Sequence, residues 1–257
     1  MAHYHLGDVL HLQGDFPGCR AAYEKAIALK PDYAEAHCRL GMLLQLQGEF
    51  ATAVEELRRG HELGSKDPRW RHPSAQWLRQ CQRLLELDGR LPDILAGKAA
   101  PANSDERIEL AQVCACKQRN RDAVRFYEEA FASQPAHRAV HRYDAACRAA
   151  LAGCGRDKGS DKLDDKERAR LRSLALDWLR ADLEARGRLL DKEPARAAAN
   201  VAATLQQWLV DAGLGGVRGP QALAKLPEAE RPTWQKLWKD VAYLLKRAQE
   251  KAVSQKK

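Results

Sequence analysis

Nowhere in the 257 residues is there an apolar run approaching the roughly 20 side chains a helix needs to cross a bilayer, so no membrane span is expected. Cysteine pairing is also missing. The seven cysteines (19, 38, 81, 114, 116, 147 and 154) are odd in number, include no Cys-x-x-Cys, and follow no secretory signal. They therefore read as reduced thiols in a cytoplasmic protein. Catalytic signatures are lacking too: there is no Gly-x-Ser-x-Gly elbow and no His-Glu-x-x-His, and acidic pairs are too plentiful on exposed faces to single out. No catalytic residue, enzyme activity, cofactor or small-molecule substrate is expected.

Two motifs come close to a site and fall short. Gly213-Leu214-Gly215-Gly216-Val217-Arg218-Gly219 places Arg218 where a dinucleotide loop needs its third glycine, and it follows a helix rather than a strand. His137 and His141 stand at i, i+4 with Asp144 one turn on, but nothing marks the fourth ligand a metal would want, so no metal is expected. Cys114 and Cys116, two apart on a helix, point to different sides.

What is present is a repeat. Leu6-Gly7 returns as Leu40-Gly41 at a distance of 34 residues. Around that echo, Leu10, Cys19, Tyr23 and Ala26 in a first unit, which Pro31 closes, correspond to Leu44, Ala53, Leu57 and Gly60 in a second. A glycine in one helix and Cys19 or Ala53 in the next let backbones approach, while Tyr23 and Leu57 fill the space beside them. Gly14-Asp15 and Gly48-Glu49 supply the turns, each followed by a phenylalanine. The stretch resembles the tetratricopeptide repeat, whose period is about 34 residues. The fold class expected is all-α, a TPR-like α-α superhelix (solenoid) with degenerate helical repeats toward the C-terminus.

The chain divides on this reading into two repeat units (1–65), an irregular connection with one helix (66–103), degenerate repeat-like units (104–190) and a C-terminal helical cap (191–257). In the connection, Ser74 is read as the N-cap of a helix carrying Trp77, Cys81, Leu84 and Leu85, ended by Asp88-Gly89, with a separate short turn at 91–97. Asn103 and Glu106 have capping-box spacing and open the third unit. A fourth covers 140–151 and 171–190, interrupted by a polar insertion at 153–166 expected to be mobile. Pro194 opens a helix through Ala197, Val201, Leu205, Trp208 and Leu209; a last one carries Trp234, Leu237, Trp238, Val241 and Leu244, and 246–257 reads as a frayed basic end. Met1 stands at about the second position of the first helix, leaving Ala2, Leu6 and Val9 uncovered. A fragment of a longer protein, or a second chain on that face, would account for it.

Further motifs resemble something narrower. Leu91-Pro92-x-Ile94-Leu95-x-Gly97, Arg107-x-x-Leu110-Ala111, Tyr143-x-Ala145-Ala146-Cys147, Ala175-Leu176-x-Trp178-Leu179 and Leu226-Pro227-Glu228-Ala229-Glu230-Arg231 are similar to the C-terminal TPR arms of planctomycete-type bacterial serine/threonine protein kinases. The resemblance spans about residues 3 to 248 and implies a non-catalytic arm, because the Gly-rich loop, the Val-Ala-x-Lys strand, the His-Arg-Asp loop and Asp-Phe-Gly are missing here.

The first functional expectation is an interaction scaffold that binds a peptide or protein partner. The repeat resemblance implies a groove lined from the first helix of each hairpin: Tyr4, Asp8 and His11 from unit one, and Glu35, Cys38, Arg39, Met42 and Gln45 from unit two. Tyr4 and Asp8 stand where chaperone-binding members carry part of a carboxylate-holding Lys and Asn set. The alternative is a truncated regulatory arm of a serine/threonine kinase. Nucleic acid ranks last as a partner. The net charge is +8, but the 43 basic residues are interleaved with 35 acidic ones, and only Lys66, Arg69, Trp70, Arg71, His72, Trp77 and Arg79 mix charge with rings.

Overall fold

The computed structural model describes residues 1–158 and 163–254. Twelve α-helices follow one another among them: α1 (Ala2–Gln13), α2 (Phe16–Leu29), α3 (Ala34–Leu46), α4 (Phe50–Gly64), α5 (Ser74–Leu95), α6 (Ser104–Cys116), α7 (Asn120–Ser133), α8 (His137–Gly153), α9 (Asp165–Lys192), α10 (Pro194–Trp208), α11 (Pro220–Leu223) and α12 (Arg231–Ser254). No strand occurs among the described residues, and the fold class is all-α and TPR-like. No helix there is long and apolar enough to cross a membrane. The chain separates into two compact units, one of residues 1–102 with 112–117 and one of residues 103–111 with 118–257, so that α6 contributes to both.

Local chemistry sets several helix boundaries. Gly14 and Gly48 take φ of 77° and 79° at the hairpin turns, the left-handed conformation glycine adopts without a Cβ penalty. Asp15 caps α2 by accepting from the Gly18 amide at 3.0 Å, and Asn103 caps α6 by accepting from the Glu106 amide at 2.9 Å.

In the first unit α1 pairs with α2, α3 with α4, and α5 packs on α4. Gly7 lies directly on the ring of Tyr23, and a Cβ on Gly41 would stand 2.7 Å from Leu57 Cγ. Cys19, Tyr23, Ala53 and Leu57 are all buried. Each large apolar side chain so buried contributes roughly 1.5–3 kcal/mol.

Helix α5 departs from the expected break at Asp88-Gly89. It runs unbroken to Leu95, through Gly89 and with Pro92 inside it. A helical glycine costs about 1 kcal/mol relative to alanine; the buried stripe Cys81, Leu84, Leu87, Leu91 and Ile94 outweighs that. Ser74 is not the N-cap either. Pro73 holds that position, and Ser74 is buried as the first residue of the helix.

In the second unit α7, α8 and α9 pair in sequence. Ala146, Ala149, Ala150 and Ala152 make α8 thin enough for close packing, and they share one core with Leu171, Ala175 and Leu179 of α9. That core continues through Val201, Leu205 and Trp208 of α10 to Trp234, Leu237 and Val241 of α12. Tyr143 stacks on Trp208 at 5.2 Å and donates its hydroxyl to Asp211 at 2.8 Å. In the glycine-rich loop Arg218 donates to the carbonyls of Trp208 and Asp211 at 2.7 and 2.8 Å, which makes the loop a helix cap.

Part of the polar insertion is anchored. The Arg156 carbonyl accepts from Asn120 Nδ2 at 2.7 Å, and the Lys158 amide donates to the Gln118 carbonyl at 3.0 Å; residues 159–162 lie outside the described residues. The basic end is a correction: α12 stays helical to Ser254, because Ala248 is buried and Arg247 and Lys251 reach Asp191 at 2.6 and 3.6 Å. Residues 255–257 lie outside the described residues.

Candidate functional site

Residues spaced three or four apart share one face of a helix. On α1 that brings Tyr4, Asp8 and His11 together; on α3 it brings Glu35, Cys38, Arg39, Met42 and Gln45 together. All eight line one of two adjoining cavities in the first unit. The larger, about 570 Å³, is bounded by Asp8, His11, Arg39, Met42 and Gln45. The smaller, about 130 Å³, is bounded by Tyr4, Glu35, Cys38 and again Arg39.

Helix α5 and the segment before it supply what the repeat pattern does not indicate. Trp77 lines both cavities, Gln80 the larger, and Trp70 and His72 the smaller. Sequence reading puts Trp70, His72 and Trp77 in a basic, ring-bearing patch. Their rings instead face α1 and α3, and two of that patch's cations are already engaged: Arg69 pairs with Asp67 at 3.0 Å, and Arg71 donates to the Pro68 carbonyl at 2.7 Å.

The polar groups of the groove are held in place. Asp8 accepts from the Tyr23 hydroxyl at 2.8 Å and lies 3.5 Å from Arg39 Nε. Burial, then the hydrogen bond and charge of Asp8, push the Tyr23 phenol far above its ordinary pKa, so it remains a donor. The hydrogen bond to Tyr4 raises the pKa of Arg39 further against the opposing effect of burial. Cys38 is 2% exposed; burial, with the Glu35 charge adding, pushes its thiol up to about 12. It therefore stays protonated and packs as an apolar group. The arrangement offers fixed donors, acceptors and ring faces, which is chemistry suited to recognition.

Residues 7–48 match the family model of the TPR repeat. The match runs from α1 to the end of α3 and agrees with the TPR-like packing of these helices. No curated protein matches the chain. Helices α1 and α3 contribute all eight residues predicted for the groove, and the TPR match covers seven of them; Tyr4, on α1, precedes the matched segment.

The other motifs singled out in the sequence fall elsewhere. In the second unit His137 Nε2 lies 3.3 Å from Ser104 Oγ and 3.2 Å from Asp105, and its ring is 5.9 Å from that of His141. No group of three or more potential metal ligands comes together among the described residues. Cys114 is buried and Cys116 half-buried.

Proposed function

We propose that the chain is a non-catalytic interaction scaffold whose TPR hairpins take an extended or helical peptide, from a protein partner, in the groove lined by α1, α3 and α5. The observation that carries this reading is the convergence of Tyr4, Asp8, His11, Glu35, Cys38, Arg39, Met42 and Gln45 on adjoining cavities, in hairpins whose repeat type generally mediates protein–protein contact. Residues 1–65 are then the binding part, 66–103 a connection that completes the wall, 104–190 further repeats and 191–257 a cap. That the seven cysteines form no disulfide with one another supports a cytoplasmic setting. The test is a quantitative pull-down with the purified chain and with a Tyr4→Ala, Arg39→Ala, Met42→Ala variant. Loss of partners in the variant supports the groove, and retention refutes it.

A second reading, the regulatory arm of a bacterial serine/threonine kinase, is supported by the motifs at 91–97, 107–111, 143–147, 175–179 and 226–231. An in-frame kinase sequence upstream of Met1 in the genome would support it, and an unrelated upstream frame would count against it. Nucleic-acid binding predicts affinity that falls steeply with salt; a salt-insensitive partner would remove that reading.

A further inference from the structure

The smaller cavity differs in chemistry from the rest of the groove. At about 130 Å³ it is well below the roughly 300–1,000 Å³ of small-molecule pockets and suits a single side chain. Four ring-bearing residues line it, Tyr4, Trp70, His72 and Trp77, together with Glu35, Cys38 and Arg39.

The rings are pre-positioned. Trp70 Nε1 donates to Ser74 Oγ at 3.0 Å, and that hydroxyl is itself 3.0 Å from His61 Nδ1. One side of the Trp70 indole lies against Gly64, where a Cβ would collide with it. His72 meets the Trp70 ring at 4.7 Å, near perpendicular, and Trp77 at 5.9 Å. Tyr4 is braced by Tyr33 at 5.2 Å and Tyr23 at 6.0 Å. Little rotamer freedom remains to be lost when a ligand enters.

The charges are unequal. Arg39 also lines the cavity, and its Nε lies 3.5 Å from both Asp8 Oδ1 and the Tyr4 hydroxyl, so the Asp8 carboxylate offsets its charge. Glu35 is half-buried and forms no ion pair among the described residues. A carboxylate without an ion pair of its own, beside aromatic rings whose π clouds are negative, complements a positive charge once Arg39 is offset by Asp8.

We propose that this cavity receives one basic side chain, lysine or arginine, projecting from the peptide held in the groove. The assignment deepens the scaffold reading and rests on it for the peptide, though the cavity can be probed separately. The experiment follows the indole N–H resonances of the full chain by NMR, with Trp70 and Trp77 assigned through Trp70→Phe and Trp77→Phe. The probes are the Nα-acetyl methylamides of lysine, arginine, norleucine and glutamate. The lysine or arginine probe should shift both indoles saturably, norleucine should bind at least about fivefold more weakly, and Glu35→Gln should weaken the basic probe by about fivefold. Unchanged indole positions in ligand-free Glu35→Gln show that the cavity itself is intact.

Equal binding of norleucine, preference for glutamate, no shift at Trp70 and Trp77, or indifference to Glu35→Gln would each overturn the proposal. The scaffold reading fails separately. A groove peptide whose lysines and arginines are all dispensable removes the basic-side-chain site and leaves the scaffold standing. A basic probe that binds while every partner survives the triple groove substitution removes the scaffold and leaves the cavity.

Discussion

The Tyr23 hydroxyl donates to Asp8 Oδ1 at 2.8 Å while the ring of the same residue covers Gly7. One side chain of α2 thus fixes both the spacing of the first hairpin and the position of a groove carboxylate on α1. Packing and site geometry are coupled at this point.

The first prediction follows from that coupling. Tyr23→Phe keeps the ring and deletes the donor, and should cost about 1.5–3 kcal/mol, the range for hydrogen bonds to charged groups. Gly7→Ala pushes a methyl into the ring, and the overpacking, at the upper end of about 1–3 kcal/mol because the Tyr23 ring is itself buried, should outweigh the gain of about 1 kcal/mol from replacing a helical glycine. Denaturant midpoints at a constant m-value would measure both, and a neutral Gly7→Ala would contradict the close approach.

A second prediction concerns His37, buried on α3. Its Nδ1 lies 2.7 Å from Glu56 Oε2 and its Nε2 3.0 Å from the Pro31 carbonyl. Both neighbours are acceptors, and only the imidazolium has two N–H donors to satisfy them. Burial, the largest single influence, pushes the pKa down; the Glu56 and Pro31 hydrogen bonds and the Glu56 charge together outweigh it, and the net shift is upward. The native state therefore holds its proton to higher pH than the unfolded chain, whose value is about 6.5. The stabilisation is fully present below that value and is lost as pH rises through the folded pKa. Wild type minus His37→Phe, compared in urea across this window, should show that loss; parallel curves would contradict it.

A third prediction lies in the second unit. Arg172 is bidentate to Glu230 at 2.7 Å for both bonds and donates to the Gly153 carbonyl at 2.7 Å, with its side chain only 8% exposed. Glu230→Ala strands that charge and should cost about 3 kcal/mol or more. Adding Arg172→Met to the same chain should recover much of the loss. Additive losses in the double-mutant cycle would contradict the pairing.

Much of the fold is legible because local rules and packing agree. The 34-residue echo, the glycines at the hairpin turns and the Asn103 cap all work through neighbours close in sequence. Helix α5 is not legible in the same way, since Gly89 and Pro92 read as a break until the buried positions of Leu87, Leu91 and Ile94 are known. The site divides similarly. Periodicity places Tyr4, Asp8 and His11 on one face, and Glu35 to Gln45 on another. The inward turn of Trp70, His72 and Trp77 depends on a contact between segments more than 30 residues apart, and Trp70 is set by the Ser74 hydroxyl that sequence reading assigns to a cap.

The central claim is that partners are held on the α1/α3 face, and photocross-linking tests it most directly. A benzophenone side chain is placed at Met42 in the groove or, as a control, at exposed Lys25 on α2, and the same captured partner is offered to both. The account predicts a cross-linked peptide from Met42 and little or none from Lys25. Equal or stronger cross-linking from Lys25 would contradict it.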